Sequence, residues 1–216
     1  MKNNVVIIDE PVAYTDAMKW FEEPYKEDKI FILEHKDVYT CGKSVSDEEF
    51  AHVAPNGKIM GTPAVRANRG GLWTWHGKGQ IVVYFICNLH KNHMTLDDWF
   101  QKVEGAVLDS LNEVINQHNV RGINVYADKD KRGFWMHDAH GDIYKIGFIG
   151  LRVSKGILTH GISINFDNDL KWFDYITPCG LEGVKIGSVT NNIAAEASKK
   201  AFVEWMAGRF NYLMVC

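Results

Sequence analysis

The sequence lacks the features that mark spanning, stapled or repetitive chains. No stretch approaches 18 consecutive apolar residues, which argues against a transmembrane helix. The strongest apolar run, Ile81 to Cys87, suits a buried strand. The opening MKNNVVIIDEP has an apolar run too short for a secretory signal. Cysteine is scarce: four occur, Cys41, Cys87, Cys179 and Cys216, in a chain large enough to fold without staples. Free thiols in the reducing cytoplasm are therefore expected, and one of them is a candidate for catalysis. Neither sign of charge dominates, with 24 Lys+Arg against 27 Asp+Glu. The pI near 6.3 argues against a strongly basic nucleic-acid binder. No repeat or low-complexity tract is evident. What remains is a chain 46% hydrophobic and 24% charged, enough to bury one core, so one domain over residues 1–216 is expected.

Periodicity predicts an α+β domain with a mixed or antiparallel sheet flanked by helices. Strands are expected at Val5–Ile8, Ile30–Leu33 with Val38–Cys41 as a continuation, Pro63–Asn68 and Ile81–Leu89. Further strands are expected at Gly122–Ala127 and Gly133–Met136, which flank the charged turn at residues 128–132. Ile143–Val153 and Gly156–Phe166 alternate well enough to pair. Tyr14–Phe21 reads as a short helix. Ser44–Gly61 reads as a polar excursion with a turn. Leu170–Ile176 reads as a helical turn or compact loop. The clearest helix is Thr95–Asn116: Leu96, Trp99, Val103, Val107, Leu111 and Val114 form one stripe, and Thr95 with Asp98 can cap its start. A last helix is expected over Ala194–Phe210, capped by Asn191 or Asn192, with Ala194, Ala197, Ala201 and Trp205 on its buried side.

Several residues invite chemistry. Cys179 stands between Pro178 and Gly180, a setting that presents a side chain from a constrained bend. It reads either as a structural cysteine or as a nucleophile. Lys145 interrupts the apolar run Ile143–Gly150. It is either solvent-facing or a buried amine with an altered proton affinity. His76-Gly77 and His160-Gly161 recur at two element ends and suggest a pocket, although each histidine alone suits a structural role. Cysteine and histidine spacings fit no zinc site, so no metal is expected. The glycine-rich stretch from Arg69 to Gln80 is neither a Walker A loop nor GxGxxG, which leaves nucleotide binding weakly supported. Arg66, Arg69, Lys78, Arg152 and Lys155 are candidates for a positive rim.

Taken in order, five segments resemble one family. They are Glu34-His35 with Val38–Lys43; Arg69-Gly70-Gly71 with Thr74, His76-Gly77 and Gly79-Gln80; Lys145-Ile146-Gly147 with Ile149, Gly150 and Arg152; Thr159-His160-Gly161 with Asn165; and Pro178-Cys179-Gly180. The chain resembles the octanoyl-acyl-carrier-protein:protein octanoyltransferases of lipoate biosynthesis, also called lipoate–protein ligase B enzymes. Two positions depart from the family pattern. Leu72 stands where an acidic or polar residue is usual, and Lys78 stands where proline is usual.

The resemblance implies a fold like the catalytic domain of biotin and lipoate protein ligases. It implies a cytoplasmic, monomeric acyltransferase with no cofactor, no metal and no nucleic-acid or membrane partner. The donor would be octanoyl-acyl carrier protein. The acceptor would be the lysine of apo lipoyl domains in 2-oxoacid dehydrogenases or the glycine-cleavage H protein. Cys179 and Lys145 would be the catalytic pair. Arg69, Gly70, Gly71, Thr74, His76, Gly77, Gly147, His160 and Gly161 would bind substrate or the oxyanion, with backbone donors near Gly77 or Gly147 favoured. Tyr84, Ile162 and Ile164 are candidate linings for the acyl chain. Three other readings compete: an ATP-dependent lipoate or biotin ligase, a thioesterase that delivers the acyl group to water, and a non-enzymatic lipoyl-domain-binding module.

Overall fold

The computed structural model describes residues 4–21, 27–180, 183–193 and 198–213, without the side chains of Cys179 and Leu213. Among the described residues, eleven strands divide between two sheets. β1 (Val5–Ile7), β2 (Lys29–Leu33), β7 (Gln80–Asn88), β8 (Asn124–Asp128), β9 (Gly133–His137), β10 (Ile143–Ser154) and β11 (Ile157–Asn165) form the larger sheet. Its strand order is β1-β2-β7-β11-β10-β9-β8. β1 and β2 run parallel and the remaining pairs are antiparallel. The smaller sheet has the order β4 (Lys58–Ile59), β5 (Thr62–Arg66), β3 (Val38–Cys41) and β6 (Trp73–His76).

Two helices cover one face of the large sheet. α3 (Leu96–Gln117) begins at the expected cap: Thr95 Oγ1 accepts from the Asp98 N–H at 3.1 Å, and the Thr95 N–H donates to Asp98 Oδ2 at 2.8 Å. Its stripe packs with α5 (Lys199–Leu213) over Val83, Phe85, Ile146, Ile162 and Ile164. On the opposite face, Phe148 of β10 joins a second core with Tyr39, Trp73, Trp75 and Phe173. α1 (Tyr14–Met18), continued by a 3-10 turn to Phe21, packs over Leu33, Val82 and Tyr84. Among the described residues no helix is long and apolar enough to cross a membrane.

Three expectations are corrected. Val38–Cys41 does not extend the Ile30–Leu33 strand; it pairs with β5 and β6 in the other sheet. A bridge between Val12 and His35 lies between the two segments, and the chain changes sheets there. The Ser44–Gly61 excursion contains α2 (Asp47–Val53), whose Ser46 cap accepts from the Glu49 N–H at 3.0 Å. Asn191 and Asn192 do not cap the last helix but lie inside α4 (Val189–Ile193). Asn192 Oδ1 accepts from the Ser188 N–H at 3.0 Å. Residues 194–197 lie outside the described residues. The buried side of α5 is formed by Phe202, Met206, Ala207 and Phe210, while Ala201 and Trp205 are only partly buried.

Candidate active site

A β-bulge places Lys145. Between Lys145 and Gly147 the β10–β9 register shifts: Lys145 faces Trp135 and Gly147 faces Phe134. The extra residue reverses the alternation of side chains. Ile146 belongs to the helix-side core, and a Cβ at Gly147 would also meet that core, 2.7 Å from Ile164 Cδ1. Lys145 and Phe148 consequently share the other face. The Lys145 Nζ lies 5.5 Å from the Phe148 ring centroid and 5.0 Å from that of Trp135.

Lys145 is 1% exposed. The burial settles the choice that sequence left open between a surface lysine and a buried amine. Its Nζ donates to the Arg132 carbonyl at 2.9 Å and the Lys131 carbonyl at 3.4 Å. The backbone on either side is fixed by the segment that follows the cysteine turn. The Lys145 N–H donates to Lys185 O at 2.9 Å, and the Gly187 N–H donates to Lys145 O at 3.0 Å. Cys179 stands in a one-turn 3-10 helix, Pro178–Gly180; its side chain lies outside what the structure describes. The turn's neighbour is nonetheless clear. A Cβ added at Gly180 would lie 2.5 Å from Leu72 Cδ1, and Leu72 lines the wall of a cavity of about 50 Å³.

That cavity is largely apolar and runs between the two sheets. Leu72, Val82, Tyr84, Phe148, Ile149 and Ile162 line it, together with Gly71, Gly150 and Gly161. The strands can approach closely because a side chain at Gly161 would strike Val83 O at 1.9 Å and one at Gly150 would meet Arg69 Cδ at 2.9 Å. Arg69, Thr74, His76 and His160 also reach it, as does Tyr14 from α1. Among the candidate residues, Lys145, Gly70, Gly77, Gly147 and Ile164 do not line it. Gly77 is enclosed by Asp37 and the Trp75 ring, and Gly147 and Ile164 face the helix-side core. Gly70 instead donates its N–H to Leu151 O at 3.0 Å, tying the loop to β10.

Arg69 is not part of a positive rim. It is 8% exposed and serves as a bracket. Nη1 donates to Gly70 O at 2.9 Å and Leu72 O at 3.2 Å, and Nη2 donates to Thr40 O at 3.1 Å and Thr40 Oγ1 at 2.8 Å. The planar fork thereby joins the glycine loop to β3.

Behind the cavity wall lies a chain of polar contacts. His76 Nδ1 and Gln80 Oε1 are 2.6 Å apart, so this ring nitrogen carries the proton. Gln80 Nε2 donates to Asn165 Oδ1 at 2.9 Å and Trp75 O at 3.1 Å, and Asn165 Nδ2 donates to Gly187 O at 3.0 Å. Gly187 is the residue that donates to the Lys145 carbonyl, so the network ends on the lysine's own backbone. His35 Nε2 contacts Tyr84 Oη at 2.8 Å and its Nδ1 contacts Val12 O at 2.9 Å. Burial drives the pKa of His35 down to about 4, of His76 to about 3 and of His160 to about 4. All three are neutral at pH 7. Burial pushes the Tyr14 phenol up to about 12. Among the described residues, no group of three or more His, Cys, Asp or Glu side chains could hold a metal ion.

The departures from the family pattern are accommodated locally. Lys78 is exposed at a turn closed by Gln80 N–H donating to Gly77 O at 3.1 Å, with Gly79 at φ 87°. The turn therefore forms without proline. Leu72 contributes apolar surface to the cavity beside the cysteine turn. Sequence reasoning assigned no role to Tyr14, Thr40 or Gln80. Gln80 and Thr40 sat inside the motifs, but only the fold reveals their partners.

The helix-backed sheet, with a buried amine beside a narrow apolar cavity, defines the class: a catalytic domain of the lipoyl protein ligase A/B type, whose family model matches residues 12–211. A bipartite lipoate protein ligase of Thermoplasma acidophilum superposes with a TM-score of 0.66, covering 98% of this chain and 83% of that one at 13% identity. A biotin protein ligase of Aquifex aeolicus superposes with a TM-score of 0.56, covering 99% and 71% at 12% identity. These two likenesses establish the fold. A protein of Rickettsia felis named octanoyltransferase is 35% identical over 184 residues, 84% of this chain and 81% of its own length. The chain belongs to the octanoyltransferase family, and it is an acyltransferase.

Proposed function

We propose that this chain is a single-domain, cytoplasmic octanoyltransferase that moves an octanoyl group from acyl carrier protein to the lysine of an apo lipoyl domain. The observation that carries the reading is the Lys145 amine, buried on the same sheet face as the cavity-lining Phe148. A buried amine beside an apolar slot suits proton transfer at the head of a bound acyl chain.

In the first half-reaction the Cys179 sulfur attacks the donor thioester carbonyl, and Lys145 takes the thiol proton. The bond between the acyl carbon and the donor sulfur breaks, and the donor leaves as a thiol with that proton. In the second half-reaction the acceptor amine attacks the acyl-cysteine. An amide bond forms, the carbon–Sγ bond breaks, and the amine's surplus proton passes through Lys145 to the cysteine sulfur. The donor is already a thioester, so no nucleotide activation is required. Arg69 and the loop from Gly70 to Leu72 shape the cavity, in which each buried methylene contributes about 0.8 kcal/mol.

Intact-mass spectrometry tests the reading. Octanoyl-acyl carrier protein should add one octanoyl group, an apo lipoyl domain should remove it, and Cys179→Ala should abolish the adduct. Persistent labelling of Cys179→Ala, or release of octanoate to water in preference to the lipoyl domain, would overturn it.

A further inference from the structure

The carbonyls that hold the Lys145 amine belong to one turn, residues 129–132, closed by the pairing of Asp128 with Gly133 at the ends of β8 and β9. Lys131 O accepts from Lys145 Nζ at 3.4 Å and from Trp135 Nε1 at 3.2 Å, and Arg132 O accepts from Nζ at 2.9 Å. The turn itself, Lys129-Asp130-Lys131-Arg132, has no apolar side chain to pack it down. Its two ends are fastened by other means. At the far end, Arg132 Cζ lies 3.9 Å from the Phe100 ring centroid on α3, a cation–π contact. At the near end, Asp128 Oδ1 accepts from the N–H groups of Asp130 and Lys131, each at 2.8 Å.

An aspartate that accepts from the second and third N–H groups after it stands in for a backbone carbonyl in holding a turn. The Lys131 N–H and carbonyl flank one Cα. The bond to Asp128 therefore restricts where that carbonyl, and the Arg132 carbonyl after it, can point. The Lys131 N–H is also the foremost influence holding the Asp128 carboxyl below the ordinary carboxylate range. Partial burial opposes it, the Asp130 N–H and the Lys131 charge reinforce it, and the Lys145 charge reinforces it least. Hydrogen bonding within the turn, more than attraction to the lysine, governs this carboxylate.

We propose that Asp128 is a positioning residue, which sets the turn whose carbonyls aim the Lys145 amine. The inference rests on the proton-carrying role proposed for Lys145 and extends it to the end of β8. Without the carboxylate the turn keeps its closing pair but loses the bonds that orient its middle. The amine then samples positions from which proton transfer is slow. Asparagine offers a side-chain oxygen at the same place and suits the same turn. Glutamate keeps the charge, but its longer side chain misplaces the oxygen. The two variants therefore separate geometry from charge.

The experiment has two arms. In the first, single-turnover acylation by octanoyl-acyl carrier protein is followed by intact mass for the wild type, Asp128→Ala, Asp128→Asn, Asp128→Glu, Lys145→Met and Asp128→Ala/Lys145→Met. Asp128→Ala and Asp128→Glu should slow acylation by about tenfold, and Asp128→Asn should restore most of the rate. The double variant should be no slower than Lys145→Met alone, because a residue that acts through the lysine has nothing left to position. In the second arm, NMR of protein carrying isotope-labelled lysine side-chain nitrogen follows the Lys145 amine and requires no turnover. Its signal is the one missing from Lys145→Met. That signal should move or broaden in Asp128→Ala and Asp128→Glu and keep its wild-type position in Asp128→Asn. Absence of acylation in the wild type, with the signal behaving in this way, would sink the transferase reading and leave the positioning role in place. The role itself is overturned if the Lys145 signal is the same in folded Asp128→Ala as in the wild type, or if alanine slows Lys145→Met by the same factor as the wild type. It is also overturned if Asp128→Asn is impaired while Asp128→Glu is not, a contrast that decides even where alanine prevents folding.

Discussion

Gly133 makes room for Lys145. A Cβ at Gly133 would stand 2.7 Å from Lys145 Cε and 3.1 Å from Nζ, and 2.5 Å from the Gly147 carbonyl. Gly133 also has φ 147°, a conformation that side chains rarely adopt. Gly133→Ala should displace the amine. A misplacement near 1 Å lowers turnover by about a hundredfold. The backbone itself adds a penalty of about 1–3 kcal/mol. Gly141→Ala provides the control, because Gly141 has φ 87° and a Cβ there would meet no atom within 4 Å. Gly141→Ala should lower the melting temperature slightly and leave acyl transfer unchanged. Equal activity in the two variants would show that the space beside Gly133 is irrelevant to chemistry.

Lys145→Met separates chemistry from packing. Methionine fills the space between Trp135 and Phe148 with an unbranched, uncharged chain. It leaves the Arg132 carbonyl without its donor but also removes a buried polar group. The two effects oppose each other, so stability should change by no more than about 1 kcal/mol. Loss of the proton carrier should slow single-turnover acylation by about 10²–10⁴-fold. A folded Lys145→Met that acylates at the wild-type rate would remove the lysine from the mechanism.

How much of this was legible beforehand depended on the range of the interaction. The Thr95–Asp98 cap and the stripe of α3 are local, and both were readable. The pairing of β10 with β11 followed from alternation around a short turn. The second sheet was not readable, because β3 and β5 meet in parallel across an intervening helix and no local pattern specifies that partner. The α2 helix was hidden by its polarity: it has no buried residue, so it leaves no apolar period to detect. Lys145 was visible as an oddity in an apolar strand, but its direction depended on a bulge set by β9. The motifs marked Arg69 as a substrate-binding candidate, and its charge suggested a place in a positive rim. Its actual partners are carbonyls and a hydroxyl on β3 and its own loop.

Those partners make Arg69→Lys a test of the loop. A lysine presents a single ammonium and cannot reproduce four contacts from a planar fork. Thr40 O, Gly70 O and Leu72 O would lose donors inside the fold. The expected loss is about 3 kcal/mol, or a fall of roughly 10 °C in melting temperature for a chain of this size. Activity should fall at temperatures where the protein is still folded, since Arg69, Gly71 and Leu72 shape the cavity. A melt within about 2 °C of wild type would mean that the bracket contributes little.

The buried histidines predict the response of stability to acid. His35, His76 and His160 have folded-state values near 4, 3 and 4, each below the ordinary 6.5 because burial disfavours the cation. Well above pH 6.5 the folded and unfolded chains hold these rings in the same neutral state, and they contribute no slope. Below pH 6.5 the unfolded chain takes up protons that the folded chain refuses. Stability must therefore fall as pH drops from about 6.5 toward 4. At pH 5 each ring should weaken the fold by about 1–2 kcal/mol. Urea unfolding between pH 7 and 4.5 should show the midpoint falling through this window. His160→Gln, which cannot titrate there, should reduce the slope by about a third of the combined effect. A midpoint flat from pH 7 to 4.5, or the same slope in His160→Gln, would contradict burial of these rings as neutral species.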